Sequence, residues 1–279
     1  MQKLEFISSK EQDLTKAIIN ELPFLSRFDI KKMLSNKDIK INGVRVKENC
    51  QLNIGDKLVV YYQEKKEKEW FSLVYKDENI LIVNKRSGIE IVSEKERDLV
   101  AVLSKEFDNV KAVHRIDRNT EGLVIFALNE RAEKELLAAF KTRKGITKKY
   151  ALIVHGRVDP TKIKRTVYLK KIDSLAKVWI SEVKTSGYDP ITTEFEVVEY
   201  MGDNTLLEAN LITGKTHQIR AHIAYYGYPI VGDGKYGKES KEPLHLTANY
   251  LSFGFDKKSY LSYLNTKNFE IVPTWFKKS

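Results

Sequence analysis

The chain has 279 residues, a hydrophobic content of 42%, and 48 Lys plus Arg against 38 Asp plus Glu, for a formal net charge of +10. That length suggests one or two domains with a real core, and the single cysteine, Cys50, excludes an internal disulfide or a cysteine metal cluster. No apolar run approaches the ~20 residues of a membrane span, and none near the start suits a signal peptide, so a cytoplasmic protein is expected. The positive excess favours polyanionic partners through steering and counterion release, although a merely lysine-rich soluble protein has the same charge.

Residues 11–61 carry the pattern of a small α/β unit. Leu14, Ala17, Ile18 and Leu22 fall at helical spacing, and Pro23 ends the run. Ser26 opens Ser-x-x-Asp, a capping-box variant, ahead of Ile30, Met33 and Leu34. Asn42-Gly43 between the alternating Ile39, Ile41, Val44 and Val46 predicts a hairpin, and Gly55-Asp56 precedes a last strand over 58–61. This order of two helices, hairpin, turn and strand is similar to the "S-four" RNA-binding domain, named for a ribosomal protein. The resemblance implies an RNA-binding domain over 1–62, with Arg27, Lys31, Lys32, Lys37, Lys40 and Arg45 as its basic face. Residues 63–69 have no apolar side chain and are expected to be a solvated linker, leaving 70–279 as the larger domain.

That domain begins with strand-like runs over 71–75 and 80–83, followed by the loop Asn84-Lys-Arg-Ser-Gly-Ile89. Its most informative stretch is 112–129. The polar half leads through Gly122 into the apolar run 123–128, which is expected to be a buried strand. Asp117 stands in the polar half between Arg115 and Arg118, with His114 nearby. Flanking guanidiniums favour an anion, and an anion on a core-anchored loop suits nucleophilic or basic work. Asn129 is placed to cap a helix whose face is Ala132, Leu136, Leu137 and Phe140. The segment 141–150 carries five positive charges, no negative one, and ends in Tyr150 at the head of a strand over 150–154. Such a segment suits phosphate contacts and stacking on an unpaired base. Residues 157–200 alternate strand-like pieces with charged turns and point to no role. A strand over 206–212 then leads into the helical pattern Thr213-Gly-Lys-Thr-His-Gln-Ile-Arg-Ala-His222. No glycine precedes Thr213-Gly-Lys-Thr at phosphate-loop spacing. His217 and His222 are five apart with no glutamate after the first, so no metal site is expected.

His114-Arg-Ile-Asp-Arg-Asn-Thr-Glu-Gly-Leu123 resembles the catalytic motif of the RluA-type pseudouridine synthases, His-Arg-Leu-Asp-Arg-Asp-Thr-Ser-Gly-Leu. The loop 84–89 resembles their Asn-Lys-Pro-Ala-Gly-Leu, and the segment ending Lys149-Tyr150-Ala-Leu their Lys-x-Tyr motif. Residues 213–222 resemble Thr-Gly-Arg-Thr-His-Gln-Ile-Arg-x-His, and 227–237 continue the pattern closely. The resemblance implies the α+β pseudouridine synthase fold, with a mostly antiparallel mixed sheet and a central catalytic cleft. It implies that Asp117, Tyr150 and Arg220 are catalytic, with Tyr150 over the target uracil and Arg220 paired to Asp117. Arg115 would occupy the place that the flipped base leaves, and His114, Arg118, Lys148, Lys149, Lys215 and His217 would also contact RNA. If Lys148 and Lys149 lower the pKa of Tyr150, its hydroxyl becomes a candidate acceptor for the C5 proton.

The implied reaction is a redox-neutral isomerisation of uridine in structured RNA, and no cofactor is expected. Ribosomal RNA of the large subunit is expected ahead of transfer RNA, by analogy with other proteins that carry an appended RNA-binding domain, and a monomer is expected. The alternatives are a non-catalytic RNA-binding or ribosome-assembly protein, a transfer-RNA-directed synthase and a base-releasing glycosidase. The departures from the family pattern are Ile116, Arg86, Glu121 and Lys215. Arg86 in place of proline suggests a looser loop. Glu121 is expected either to point to solvent or to weaken the approach of RNA.

Overall fold

Two sets of apolar residues close into separate cores in the computed structural model, which describes residues 2–62, 69–94 and 98–276. The chain divides into two units, residues 1–68 and 69–279. Of the expected linker, residues 63–68 lie outside the described residues.

In the first unit, strands Gln2–Ile7, Lys57–Tyr62, Ile39–Ile41 and Val44–Val46 form an antiparallel sheet in that order. Helices Leu14–Glu21 and Arg27–Ser35 bury Leu14, Ile18, Ile30 and Leu34 together with Ile39, Leu58 and Val60. Their starts are fixed by side chains that satisfy orphan amides. Asp13 accepts the Lys16 N–H at 3.0 Å, and Ser26 and Asp29 form a reciprocal capping box. Asn42 and Gly43 both take positive φ, the geometry of the tight hairpin turn read from the sequence. Strand Gln2–Ile7 is not expected from the sequence, because so short an alternation reads equally well as an exposed tail.

The second unit is built on one large sheet. Its main order is Lys177–Ser181, Thr166–Ile172, Asp189–Met201, Asn204–Leu211, Ile146–His155, Leu246–Phe253, Glu121–Ala127, Ile80–Lys85 and Phe71–Lys76. Glu121–Ala127 runs parallel to Leu246–Phe253, whereas the other neighbours in that order are antiparallel. Both faces of Glu121–Ala127 are covered. Val124 and Phe126 join one core, while Leu123 and Ile125 join another, so the strand reads as an unbroken apolar run. Gly122 sits at φ +122°, and a Cβ there would strike the backbone carbonyl of Ala248. Its missing side chain therefore permits the parallel pairing that anchors the loop before it.

Helix Glu130–Thr142 starts at Asn129, whose side chain accepts the Ala132 N–H at 2.9 Å. Ala132 and Leu136 are buried beneath it, but Leu137, expected on the same face, is 45% exposed. One residue turns the helix by about 100°, which carries Leu137 off the buried stripe. The basic segment is not one loop. The helix runs to Thr142, the chain turns at Arg143 and Gly145 with positive φ, and the strand starts at Ile146, four residues before Tyr150.

Candidate active site

The loop that carries Asp117 is tied down from beneath. Lys85 is fully buried, and its Nζ donates to the carbonyls of Arg86 at 2.9 Å, Ile89 at 3.0 Å and Arg118 at 3.0 Å. Gly88 donates its N–H to the Arg118 carbonyl at 2.8 Å. Arg86 donates its own N–H to the Trp70 carbonyl at 2.8 Å, a bond that a proline lacks the hydrogen to make. That bond ties the loop down at the position where the family pattern has proline. Bonds to a buried ammonium are of the charge-assisted kind, worth about 1.5–3 kcal/mol each.

Arg220 projects from helix Gln218–Tyr225 and is buried. Its Nε and Nη2 donate to the two oxygens of Asp233, each at 2.8 Å, and its Nη1 donates to Asp117 Oδ2 at 3.1 Å. Burial works against the guanidinium's charge, but Asp233 and then Asp117 hold its proton more firmly than usual. Burial likewise pushes the Asp233 carboxyl up, yet Arg220 outweighs it and leaves that group below the ordinary carboxylate range. His217, at φ +53°, places Nδ1 2.9 Å from the Tyr236 hydroxyl and Nε2 3.8 Å from Asp117. Burial lowers its pKa despite the charge of Asp117, so the ring is neutral at neutral pH.

Two cavities meet at Asp117, whose side chain is 21% exposed. The first, of about 290 Å³, is lined by Tyr150, His114, Phe140, Arg143, Lys148 and Lys215 among others. The second, of about 960 Å³, is lined by Arg118, Lys171, Lys177, Asp233 and Lys235 among others. Arg115, Asp117, Thr216, His217 and Arg220 line both. A carboxylate held by a guanidinium beside a cavity large enough for a small ring, next to a larger basic cavity, suits chemistry on one residue of a polyanion.

The structure brings most of the expected residues to these cavities, but not in the expected states. Tyr150 is buried in its strand and faces the first cavity. Burial, and then the charge of Asp117, raises its pKa. Lysine neighbours do not lower it. The side chain of Lys149 leaves the cavity for an ion pair with Glu208 at 2.6 Å, so its expected place at the site is corrected. Lys148 does line the cavity, with Nζ 5.1 Å from the centroid of the Phe140 ring, and burial together with Arg143 brings its pKa down to about 8.

His114 lines the first cavity as well. Its Nε2 accepts the Ile125 N–H at 3.1 Å, its ring stacks on Phe140, and burial takes its pKa well below the usual value. It is a neutral tether between loop and strand. Lys215 is paired with Asp189 at 2.7 Å, while Arg115 and Arg118 are exposed at the cavities. Glu121 faces inward. Its carboxylate accepts from the Thr247 hydroxyl at 3.0 Å and from the Thr274 N–H and hydroxyl at 3.0 and 2.7 Å, so neither solvent nor RNA meets it. His222 meets the Lys164 carbonyl at 2.9 Å, and burial lowers its pKa to about 4. Among the described residues no group of side chains is arranged to hold a metal ion. Sequence reasoning missed Asp233, Tyr236 and Lys85 as parts of the site. The available signal is the Gly-Asp-x-x-Tyr spacing at 232–236, which by itself does not say that the aspartate faces Arg220.

Residues 79–225 match the family model described as RNA pseudouridylate synthase. An uncharacterised RNA pseudouridine synthase of Mycoplasma capricolum is 34% identical, over 89% of this chain and 90% of the relative. Ribosomal large subunit pseudouridine synthase C of Vibrio cholerae is 29% identical, over 84% of this chain and 81% of the relative. Among solved structures, human RNA pseudouridylate synthase domain containing 1 aligns with a TM-score of 0.60 at 25% identity, covering 76% of this chain and 86% of that one. The α+β fold and its mixed sheet are those of a pseudouridine synthase, an isomerase that acts on RNA. The chain belongs to the RNA pseudouridylate synthase family, of the RluA type that its motifs resemble.

Proposed function

We propose that Asp117 is the catalytic carboxylate of a uridine isomerisation in structured RNA, and that the substrate is large-subunit ribosomal RNA. The observation that carries this reading is the position of Asp117, held by Arg220 at the junction of two cavities. The reaction breaks the N1–C1′ bond, turns the base, joins C5 to C1′ and releases the C5 proton. The uridine must first leave its stack, at a cost of a few kcal/mol. The smaller cavity takes the base against Tyr150, and Arg115, at the mouth of both cavities, enters the stack in its place. Attack at C1′, addition to the base and proton removal at C2′ are all open to a carboxylate.

The ribosomal substrate is supported by the name of the Vibrio relative and by a cationic groove in the first unit. Lys16, Arg27, Lys31 and Lys47, with Asp13 and Glu48 among them, line a cavity of about 790 Å³ there. Arg27 and Lys31 belong to the basic face expected from the sequence. Lys32, Lys37, Lys40 and Arg45 lie outside the groove, and Arg45 donates to the Lys37 carbonyl. No helix among the described residues is long and apolar enough to cross a membrane. A cytoplasmic monomer working on ribosomal RNA is the setting we propose.

The test is Asp117→Asn, which keeps the size of the side chain and removes its charge. RNA binding should persist and turnover should vanish. Near-normal turnover by protein shown by mass spectrometry to be free of deamidation would sink the assignment. Mapping pseudouridine in total RNA from cells lacking the gene would identify the uridine, and loss of a transfer-RNA site alone would overturn the ribosomal reading.

A further inference from the structure

The hairpin made by Thr166–Ile172 and Lys177–Ser181 has one buried face and one open face. Val167, Leu169 and Val178 point inward and pack with Ala221 of the helix that carries Arg220. The other face presents Trp179, which is 57% exposed, opposite Lys170 in the register. Lys170 Nζ lies 5.9 Å from the centroid of the Tyr188 ring, so an aromatic and a cation flank the tryptophan's side of the strand pair.

Leaving so large an apolar ring in water forgoes burial worth about 1.5–3 kcal/mol for a large side chain. A single exposed apolar residue is ordinary. Here three further observations bear on it. First, the hairpin is braced. Lys235 Nζ donates to the Ala176 carbonyl at 2.7 Å, and the Tyr236 hydroxyl accepts the Val178 N–H at 2.9 Å. Both braces come from the turn that also holds Arg220 through Asp233, so the hairpin and the site share one rigid support. Second, Lys177 lines the larger cavity, and alternation along the strand puts Lys177 and Trp179 on the same face. Lys171 and Val178 of the inward face line the same cavity, so it meets the hairpin at its turn end, and Trp179 stands two residues along the strand from that rim. Third, neither Lys170 nor Lys177 pairs with a carboxylate among the described residues, so the face is cationic as well as aromatic.

We propose that this face is a second RNA contact, on which Trp179 stacks an unpaired base of the substrate outside the catalytic cavity while Lys170 and Lys177 meet the neighbouring phosphates. Aromatic rings among unpaired cations suit single-stranded nucleic acid, since every base has a face to stack and every nucleotide a charge to meet. A paired helix keeps its bases stacked on one another and cannot use the ring. The inference rests on the reading of this protein as an RNA uridine isomerase and narrows it: the target lies in, or next to, a stretch that is unpaired when bound, such as a loop.

The test measures binding without turnover, with the full chain and two defined probes, a single-stranded oligouridylate and a fully paired RNA duplex. Trp179→Ala should weaken oligouridylate binding roughly tenfold, within the range found when a stacking aromatic is removed, and should leave duplex binding alone. Trp179→Phe should stay within about threefold, since phenylalanine still stacks. Oligouridylate should quench the intrinsic fluorescence of the unsubstituted protein more than that of the Trp179→Phe protein. With an RNA that the enzyme modifies, Trp179→Ala should raise KM and leave kcat at saturation unchanged. Unaltered oligouridylate affinity in Trp179→Ala, or an equal loss on both probes, would overturn the contact. Self-association in sedimentation that Trp179→Ala abolishes would assign the face to a second copy of the chain instead. Failure of the unsubstituted protein to bind either probe would overturn the RNA reading as well, so the two failures are distinguishable.

Discussion

Asp233 grips the guanidinium of Arg220 with both carboxylate oxygens, each at 2.8 Å, and leaves Nη1 to reach Asp117 at 3.1 Å. A planar fork met by a planar carboxylate fixes the plane of the guanidinium, so Asp233 aims the third nitrogen. Arg220→Lys keeps the charge but offers one nitrogen where three bonds are made. Turnover should fall on the order of 100-fold, the cost of misplacing a reacting group by about 1 Å, with RNA affinity changed by only a few fold. Asp233→Ala leaves the buried guanidinium with Asp117 as its one carboxylate partner and should cost up to about 3–5 kcal/mol in urea unfolding. Unchanged kcat in Arg220→Lys would show that charge alone suffices.

The two units have separate cores, which predicts that residues 1–68 can be removed without unfolding the rest. A protein beginning at Glu69 should fold and still isomerise uridine at high RNA concentration, with weaker binding. For every phosphate that the first unit neutralises, its removal should make the slope of log K against log salt shallower by about 0.9 on duplex RNA, taking the DNA value as a guide. Equal affinity and slope with and without residues 1–68 would remove the groove of Lys16, Arg27, Lys31 and Lys47 from the RNA-binding surface.

Much of this was legible in the sequence because local rules and tertiary structure agree. The capping box at Ser26, the Asn42-Gly43 turn and the apolar run after Gly122 each fix an element by short-range chemistry, and each forms. The motifs around Asp117 and Arg220 lie 103 residues apart in the chain, and the structure joins them through one hydrogen bond. What failed was inference about where particular charged side chains point. Lys149 and Glu121 are set by strand alternation and by partners, Glu208 and Thr274, that stand 59 and 153 residues away. The acceptor role of His114 toward the Ile125 N–H is likewise hidden in the sequence, because it depends on the strand that follows. Spacing along a chain carries no record of such partners.

The state of Lys148 gives a pH dependence with a definite sign. Burial and the nearby Arg143 lower its pKa from the ordinary lysine value to about 8. Below that pH it is a cation facing the cavity, and above it the free protein presents a neutral amine. RNA affinity should therefore fall as pH rises through about 8 and not recover, while Lys148→Met should bind more weakly at pH 7 and show a flatter profile. RNA phosphate will favour the charged form and shift the midpoint upward in the complex. Filter binding of one RNA across the range measures both profiles, and the same fall in Lys148→Met would assign it to another group.

The proposed function gives Tyr150 two separable roles, stacking and proton transfer, and the surroundings of its side chain limit the second. Burial and the charge of Asp117 both raise its pKa, so a phenolate is inaccessible at neutral pH. If the tyrosine takes the C5 proton, it must do so as a neutral hydroxyl. As the C5–H bond breaks and a new O–H bond forms, the phenol's own proton must pass to another acceptor, for which the Asp117 carboxylate is the nearby anion. This relay predicts no tenfold rise in rate per pH unit up to pH 9, the rise that an obligatory phenolate would give. It also predicts that Tyr150→Phe binds RNA normally, because the ring remains, and loses roughly 10²–10⁴ in single-turnover rate, the usual contribution of positioned proton transfer. Tyr150→Ala should lose binding as well. Should Tyr150→Phe turn over close to the unsubstituted rate while Tyr150→Ala is crippled, the ring is the whole contribution. The C5 proton would then leave through water, with Asp117 or the neutral His217, 3.8 Å from it, as the next acceptor to substitute.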